Sequence, residues 1–399
     1  MNIAMLIMAS LLAYGPWESI GPEGGEVRAI LQSSQDPDDL FALSGSYPAQ
    51  LIRSQDGGST WEPVSEIPNC YPYDMAMTSS GTLVVFGSSR TWRSTDGGNT
   101  WDDTYIANHL FWNGEPHPTD GNIVYATGYR YSGTSWNMAF YSSVDGGASW
   151  SSTDILVTAS SSYGRVIAVS ASNPAHIMVG GYEYNSGYTP YLFKSEDGGA
   201  SFTDITPAGS NYYYNGAAFH PTDCSIMLAG DLYSVFRSTD GGTSWTKTGS
   251  LTYNYDITFS DADHNLVLSS GTSRTYRSTN GGQSWTSITA GLDGSSINWI
   301  EPDASSSSTA YTGSTTGFFR STDGGQSWTG ENSGLSLGKA LAMEYVNGWL
   351  FMNIQDMGLW KVQDGHEDWQ VVDTPLSCGD FCALEAVGPD TLLALEGAG

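Results

Sequence analysis

The sequence is short of positive charge. Of its 399 residues, 14 are Lys or Arg and 42 are Asp or Glu, a net charge of −28. That deficit argues against nucleic acid as a partner, because phosphate binding needs neutralising cations. It disfavours anionic lipid surfaces for the same reason and fits a soluble, self-repelling protein of the cell exterior. Histidine and cysteine are also scarce, with six and four copies. His117 and His220 stand in Pro- and Asp-rich segments and read as turn residues, not ligands. Cys70, Cys224, Cys378 and Cys382 allow three pairings, and Cys378 and Cys382 are close enough to pair if their loop bends. A lone Cys-x-x-x-Cys favours a disulfide or buried thiols over a metal, so neither metal nor cofactor is expected. The apolar run at 1–13 (MNIAMLIMASLLA) is too short to span a bilayer. It reads as a secretory segment cleaved near Ala13, which makes a secreted or cell-surface protein, with no membrane insertion after processing, the expectation. G-x-S-x-G, H-E-x-x-H and P-loop patterns are missing, so hydrolase triads, zinc proteases and nucleotide chemistry have no motif support.

What is abundant is one short stretch, written most cleanly as RSTDGGQSW at Arg320–Trp328. Relatives begin at Ser54, Ser94, Ser143, Ser195, Ser238 and Ser278. An eighth copy, VQDGHEDW from Val362 to Trp369, has lost its serine and second glycine. The acidic position falls at Asp56, Asp96, Asp145, Asp197, Asp240, Asn280, Asp323 and Asp364, with spacings of 40, 49, 52, 43, 40, 43 and 41. A period in the forties with strand-like filler marks stacked four-stranded blades. Asp-Gly-Gly between β-runs is a hairpin signal, since glycine accepts positive φ and Asp can bind the loop amides. Eight copies point to structure, because catalysis has no use for eight equivalent acids. Arg53, Arg93, Arg237, Arg277 and Arg320 sit directly before the motif.

The stretch resembles the Asp-box, or bacterial neuraminidase repeat, of sialidases, xyloglucan-active glycosidases, sortilin-type receptors and photosystem II assembly-factor-like propellers. The resemblance runs from about Trp17 onward. It implies an all-β propeller of about eight four-stranded blades, each with an Asp-box hairpin, plus a partial closing blade from the two termini. The expected organisation is an N-terminal segment over 1–13 and one propeller domain over 14–399. The fold is shared by enzymes and binders, so it does not specify function. The resemblance to sialidases implies an Arg-Ile-Pro motif that is absent; Val27-Arg28-Ala29-Ile30 is the nearest match. The opening WESIGPEGGEVRAI is more similar to the xyloglucan-active family, which generally carries a second propeller that 399 residues cannot hold.

Innermost strands are expected near Glu26, Asp74, Phe111, Arg165, Gly216, Asp256, Ile297 and Ala340, and two more strands at 380–387 and 391–395. Blades three and four carry about ten extra residues, placed at Tyr131–Trp136 and Tyr184–Tyr191 in long hairpins. The segments leading into the inner strands are aromatic: Tyr71, Tyr73, Phe111, Trp112, Tyr212, Tyr213, Tyr214, Tyr253, Tyr255 and Trp299. Such rings are platforms for sugars and anchors for proteins, or else inter-blade packing. Asp74 and Asp256 share one repeat position, and Glu26, Glu115, Glu301, Glu344 and Asp380 lie near similar ones. In an eight-bladed ring Asp74 and Asp256 would stand roughly 15–25 Å apart, given sheet spacings of about 10 Å, too far for the carboxylate pair of a glycosidase. These aromatic residues with Asp74 and Asp256 are the candidate ligand site. The first expectation is a secreted or cell-surface non-catalytic propeller that binds glycan or protein. The alternatives are a glycoside hydrolase acting on polysaccharide and a structural subunit that polymerises through its terminal strands.

Overall fold

The computed structural model describes residues 24–33, 35–158, 160–333, 335, 340–346, 348–354, 358–363, 369–372, 381–388 and 391–396. Every element among them is a strand. The expected leader at 1–13, the Trp17 strand, Asp364, Cys378 and Asp380 lie outside the described residues. Where the sequence pointed to one domain over 14–399, the contacts divide the chain into two compact units, 24–339 and the remainder.

Residues 24–339 fold as a propeller. Four-stranded antiparallel sheets recur along the chain, each wound in sequence order from the inner strand outward. Blades 2 and 3 merge into one six-stranded sheet. They merge because Asp102–Pro116 pairs at Asp102–Tyr105 with blade 2 and at His109–Pro116 with blade 3. Counted this way, seven blades occupy the unit, and the seventh packs on the first. Val27, Ile30, Leu40 and Trp61 of blade 1 share a core with Tyr311, Phe318 and Leu335 of blade 7. Gln32 Nε2 donates to Asp303 Oδ2 at 2.8 Å, and Asn298 Nδ2 to the Val27 carbonyl at 3.1 Å. A ring is therefore complete at residue 335, and the eighth Asp-box belongs to the other unit. That unit contains a sheet of Ala340–Val346, Trp349–Ile354, Gly358–Gln363 and Gln370–Val371, and a hairpin of Phe381–Gly388 with Thr391–Glu396. Box spacing is the same on both sides of this boundary, because it records one blade's length and not the angle between blades.

The Asp-boxes are built alike. In blade 5, Ser238 Oγ donates to Asp240 Oδ1 at 2.8 Å and accepts from Gly242 N at 2.9 Å, while Ser244 N donates to Asp240 Oδ1 at 2.9 Å. Both glycines of all seven described boxes take positive φ, which explains the Gly-Gly pair. The second glycine also faces the preceding blade: a Cβ on Gly98 would lie 2.1 Å from Leu51 Cδ2, and one on Gly58 would meet Phe318. The cation before the box ties blades together. Arg93, Arg237 and Arg277 donate through Nε to the carbonyls of Gly146, Gly281 and Gly324 in the next box, and Lys194 Nζ does so to Gly241. The box tryptophans reach backward. Trp101, Trp150 and Trp328 Nε1 donate at 3.0 Å to Ser65, Thr91 and Thr275 of the preceding blade.

Cys70 is buried and Cys224 half-buried, both as free thiols. Burial pushes the Cys70 thiol upward, leaving it an inert core residue.

Candidate functional site

Six of the seven inner strands of the ring share a kink. A register shift singles out Arg28, Tyr73, Trp112, Arg165, Asn215 and Asn298 as extra residues in blades 1, 2, 3, 4, 5 and 7. A β-bulge re-aims its side chain, and here four of the bulge residues meet in a row: Tyr73 on Trp112, Trp112 under Arg165, and Arg165 on Asn215. One residue on from the bulge, the chain ties itself to the next blade. Asp74 Oδ2 accepts from Gly114 N at 2.8 Å and from Asn113 Nδ2 at 2.7 Å. Asn113 Oδ1 accepts from Ile167 N at 2.7 Å, and Asp256 Oδ2 from Ile300 N at 3.3 Å. Asp74 and Asp256 are thus inter-blade clasps as well as titratable groups.

Two further acids stand at one equivalent place, three residues past the bulges at Trp112 and Asn298: Glu115 and Glu301. All four acids are partly exposed, yet protein surrounds them near the axis, and desolvation disfavours their charge. Asp74 is pushed up to about 6 and Asp256 to about 7, the latter also by the charge of Asp74. Burial, then Asp74 and Asp256, push Glu115 up to about 8. Glu301 stands well above its ordinary value through burial, Asp256 and Glu115. The sequence reading put Asp74 and Asp256 roughly 15–25 Å apart, too far for the carboxylate pair of a glycosidase. Across the ring the charge of Asp74 still adds to the rise at Asp256. No group of three or more His, Cys, Asp or Glu able to hold a metal occurs among the described residues.

Above the acids runs a strip of rings. Tyr71 meets Tyr73 edge-on at 5.8 Å, and Tyr73 stacks on Trp112 at 4.6 Å. The Arg165 guanidinium lies 3.8 Å from the Trp112 ring and 5.2 Å from Tyr213. The strip continues through Tyr188, Tyr212, Tyr233 and Tyr253 at centroid distances of 5.2, 6.4, 4.9 and 5.4 Å. Tyr71, Tyr188, Tyr212 and Tyr253 are 47%, 44%, 36% and 41% exposed. Two of the expected site residues are elsewhere. Phe111 and Tyr214 are wholly buried: each immediately precedes a bulge residue and packs in the core. Trp299 packs partly buried against the blade 1–blade 7 core, and Tyr255 is half-buried. The sequence reading did not single out Arg165, Tyr182, Tyr188 or Tyr233 as site residues. The long hairpins of blades 3 and 4, Val124–Tyr131 with Trp136–Ser143 and Ile177–Tyr184 with Tyr188–Ser195, lift several of these rings into place. The available signal was Arg165 in the repeat position of Tyr73 and Trp112. A cavity lined by Lys194, Glu196, Asp197 and Thr243 lies at the Asp-box rim, away from the acids and the strip.

No family model matches the chain. It is 25% identical to a xyloglucanase of Paenibacillus sp over 301 residues, 62% of this chain and 28% of that protein. It is 29% identical to a xyloglucanase of Hypocrea jecorina over 280 residues, 55% of this chain and 32% of that protein. The chain spans about a third of the length of the curated relatives it matches. Among solved structures, an ancestral GH74 enzyme superposes with a TM-score of 0.67 at 13% identity, over 87% of this chain and 54% of that one. YCF48 bound to D1 peptide gives 0.55 at 16% identity, over 77% and 96%. The GH74 xyloglucanase of Xanthomonas campestris gives 0.52 at 16% identity, over 88% and 67%. These likenesses establish an Asp-box propeller. The curated relatives overturn the expectation of a non-catalytic binding propeller and favour the alternative of a glycoside hydrolase.

Proposed function

We propose that this chain is the propeller of an extracellular glycoside hydrolase that acts on a polysaccharide, xyloglucan being the first substrate to test. The observation that carries this reading is the coincidence of two features at one mouth of the ring: a continuous aromatic strip and carboxyl groups with raised pKa beside it. Aromatic faces hold sugar rings. Glycoside hydrolysis needs one carboxyl that gives a proton and one that is ionised, and acids whose environments separate their pKa values can supply both. Asp74, held by the Gly114 amide and the Asn113 side chain, ionises first, at about 6. Asp256, at about 7, keeps its proton to higher pH than Asp74 does. In this reading Asp256 is the acid and Asp74 the base or nucleophile, with the glycan laid across the strip above them. The xyloglucanase relatives support the reaction class.

The test is release of reducing ends from xyloglucan, mixed-linkage glucan and unsubstituted cellulose by the purified chain, with products resolved by chromatography. Release from one or more glucans is expected; none from any of them, with the protein folded, would contradict the reading.

A further inference from the structure

Arg165 is out of place in a chain of net charge −28. Arg28, Arg53, Arg90, Arg130 and Arg320 are each paired with a carboxylate, and Arg93, Arg237 and Arg277 tie neighbouring Asp-boxes. Arg274 bonds only the Ser287 hydroxyl, at 3.4 Å, and Arg165 likewise does neither among the described residues. Its Nε donates to Asn215 Oδ1 at 3.2 Å, and its plane lies between Trp112 and Tyr213. Besides burial, the strongest influences on it are the hydroxyls of Tyr182, Tyr213, Tyr129 and Tyr188. The side chain is half-exposed in the middle of the strip.

Its position is held rigidly. Arg165 is the bulge residue between Gly164 and Val166. Beneath it, three glycines let backbones touch: a Cβ on Gly164 would lie 2.2 Å from Thr127 Oγ1, one on Gly128 1.9 Å from the Leu110 carbonyl, and one on Gly181 2.0 Å from the Tyr163 carbonyl. Behind it, Trp112 is braced by Tyr73. A guanidinium fixed on aromatic faces, with no carboxylate partner, keeps donors free for a planar anion.

We infer that Arg165 is a specificity residue which selects a carboxylate-bearing sugar, so that among the glucans held on the strip those substituted with uronic acid are preferred. This rests on the glycan-hydrolase reading and narrows its substrate class. The sugar ring stacks on Trp112 or Tyr213 while its carboxylate meets the guanidinium.

The experiment is calorimetric titration of the full chain at pH 6 with an acidic oligosaccharide, with its carboxyl-reduced counterpart and with a neutral xyloglucan oligosaccharide. The acidic ligand is expected to bind at least tenfold more tightly than its reduced form, with a preference that shrinks as salt rises. Arg165→Met should abolish that preference, and Arg165→Lys should keep part of it. A melting curve for each variant separates lost folding from lost binding. Equal affinity for the acidic and reduced ligands would overturn the inference and leave the hydrolase reading standing. A preference that survives Arg165→Met would also overturn it. Binding of none of the three would remove both.

Discussion

The rim and the axis of this propeller use the same carboxyl group in opposite ways. At the rim, Asp96, Asp197 and Asp240 are held down to about 2, first by the hydroxyls of Thr100, Ser201 and Ser244 and then by backbone amides. At the axis, Asp74, Asp256 and Glu115 are driven up to about 6, 7 and 8, first by burial. A carboxylate surrounded by donors in water stays ionised. One that lacks donors, or shares a narrow space with other acids, takes up a proton. The difference is also one of repetition. The rim is the same hairpin seven times among the described residues, and Asn280 does the work of Asp there by accepting from Ser284 N at 3.0 Å. The axis has acids in blades 2, 3, 6 and 7, and apolar or small residues at corresponding places elsewhere. Repetition signals structure, and departure from the repeat signals the site.

Substitutions at the two places should separate them most sharply. Asp256→Asn is expected to lower hydrolysis by roughly 100-fold or more, the scale of a lost general acid, with the melting temperature little changed. Asp323→Asn, which recreates the Asn280 box, should leave hydrolysis intact. Reducing-end assays beside thermal melts check both.

A smaller but clear effect is expected on stability at the rim. Ser321 Oγ accepts from the Gly325 amide at 2.8 Å in a buried turn, so Ser321→Ala strands that amide at a cost of roughly 1–3 kcal/mol. Gly98→Ala adds a methyl against Leu51 at positive φ and should cost a similar amount, roughly 1–3 kcal/mol. Denaturant titration measures each, and activity per folded molecule should not change.

The pH dependence of stability follows from the opposite shifts. The rim acids have lowered pKa values, so their contribution is present above about 4 and is lost as pH falls towards about 2. The axial acids have raised values, so the folded state holds protons that the unfolded chain has released. Their contribution is in full below about 4 and is lost as pH rises through about 6 to 8. The melting temperature is therefore expected to peak in mild acid and fall from pH 5 to pH 8.5. Glu115→Gln should flatten that alkaline decline. An unchanged decline would show that Glu115 is not its source.

Much of the fold was legible in the sequence, because Asp-Gly-Gly, its flanking serine and the following Trp report local geometry that the hairpin enforces copy by copy. The extra lengths at Tyr131–Trp136 and Tyr184–Tyr191 likewise placed the long hairpins of blades 3 and 4. The closure of the ring after seven blades was not legible. It depends on how Val27 and Trp61 meet Phe318 and Leu335 across nearly 300 residues, and no local spacing records it. The site was legible in part. Aromatic character marked the mouth, but the bulges decided which rings face it. Tyr73 and Trp112 are bulge residues, whereas Phe111 and Tyr214, one position earlier, turn into the core. The influence of Asp74 on Asp256 acts across the ring and could not be read from strand spacing.

The central claim is that axial carboxyls with raised pKa act on a glycan held by the aromatic strip. The pH–rate profile of glucan hydrolysis by the full chain tests it most directly. The account expects a bell with limbs near pH 6 and pH 7, reporting Asp74 and Asp256, and loss of that activity in Asp256→Asn. A profile that stays level from pH 5 to pH 8, or hydrolysis that persists in Asp256→Asn, would contradict it.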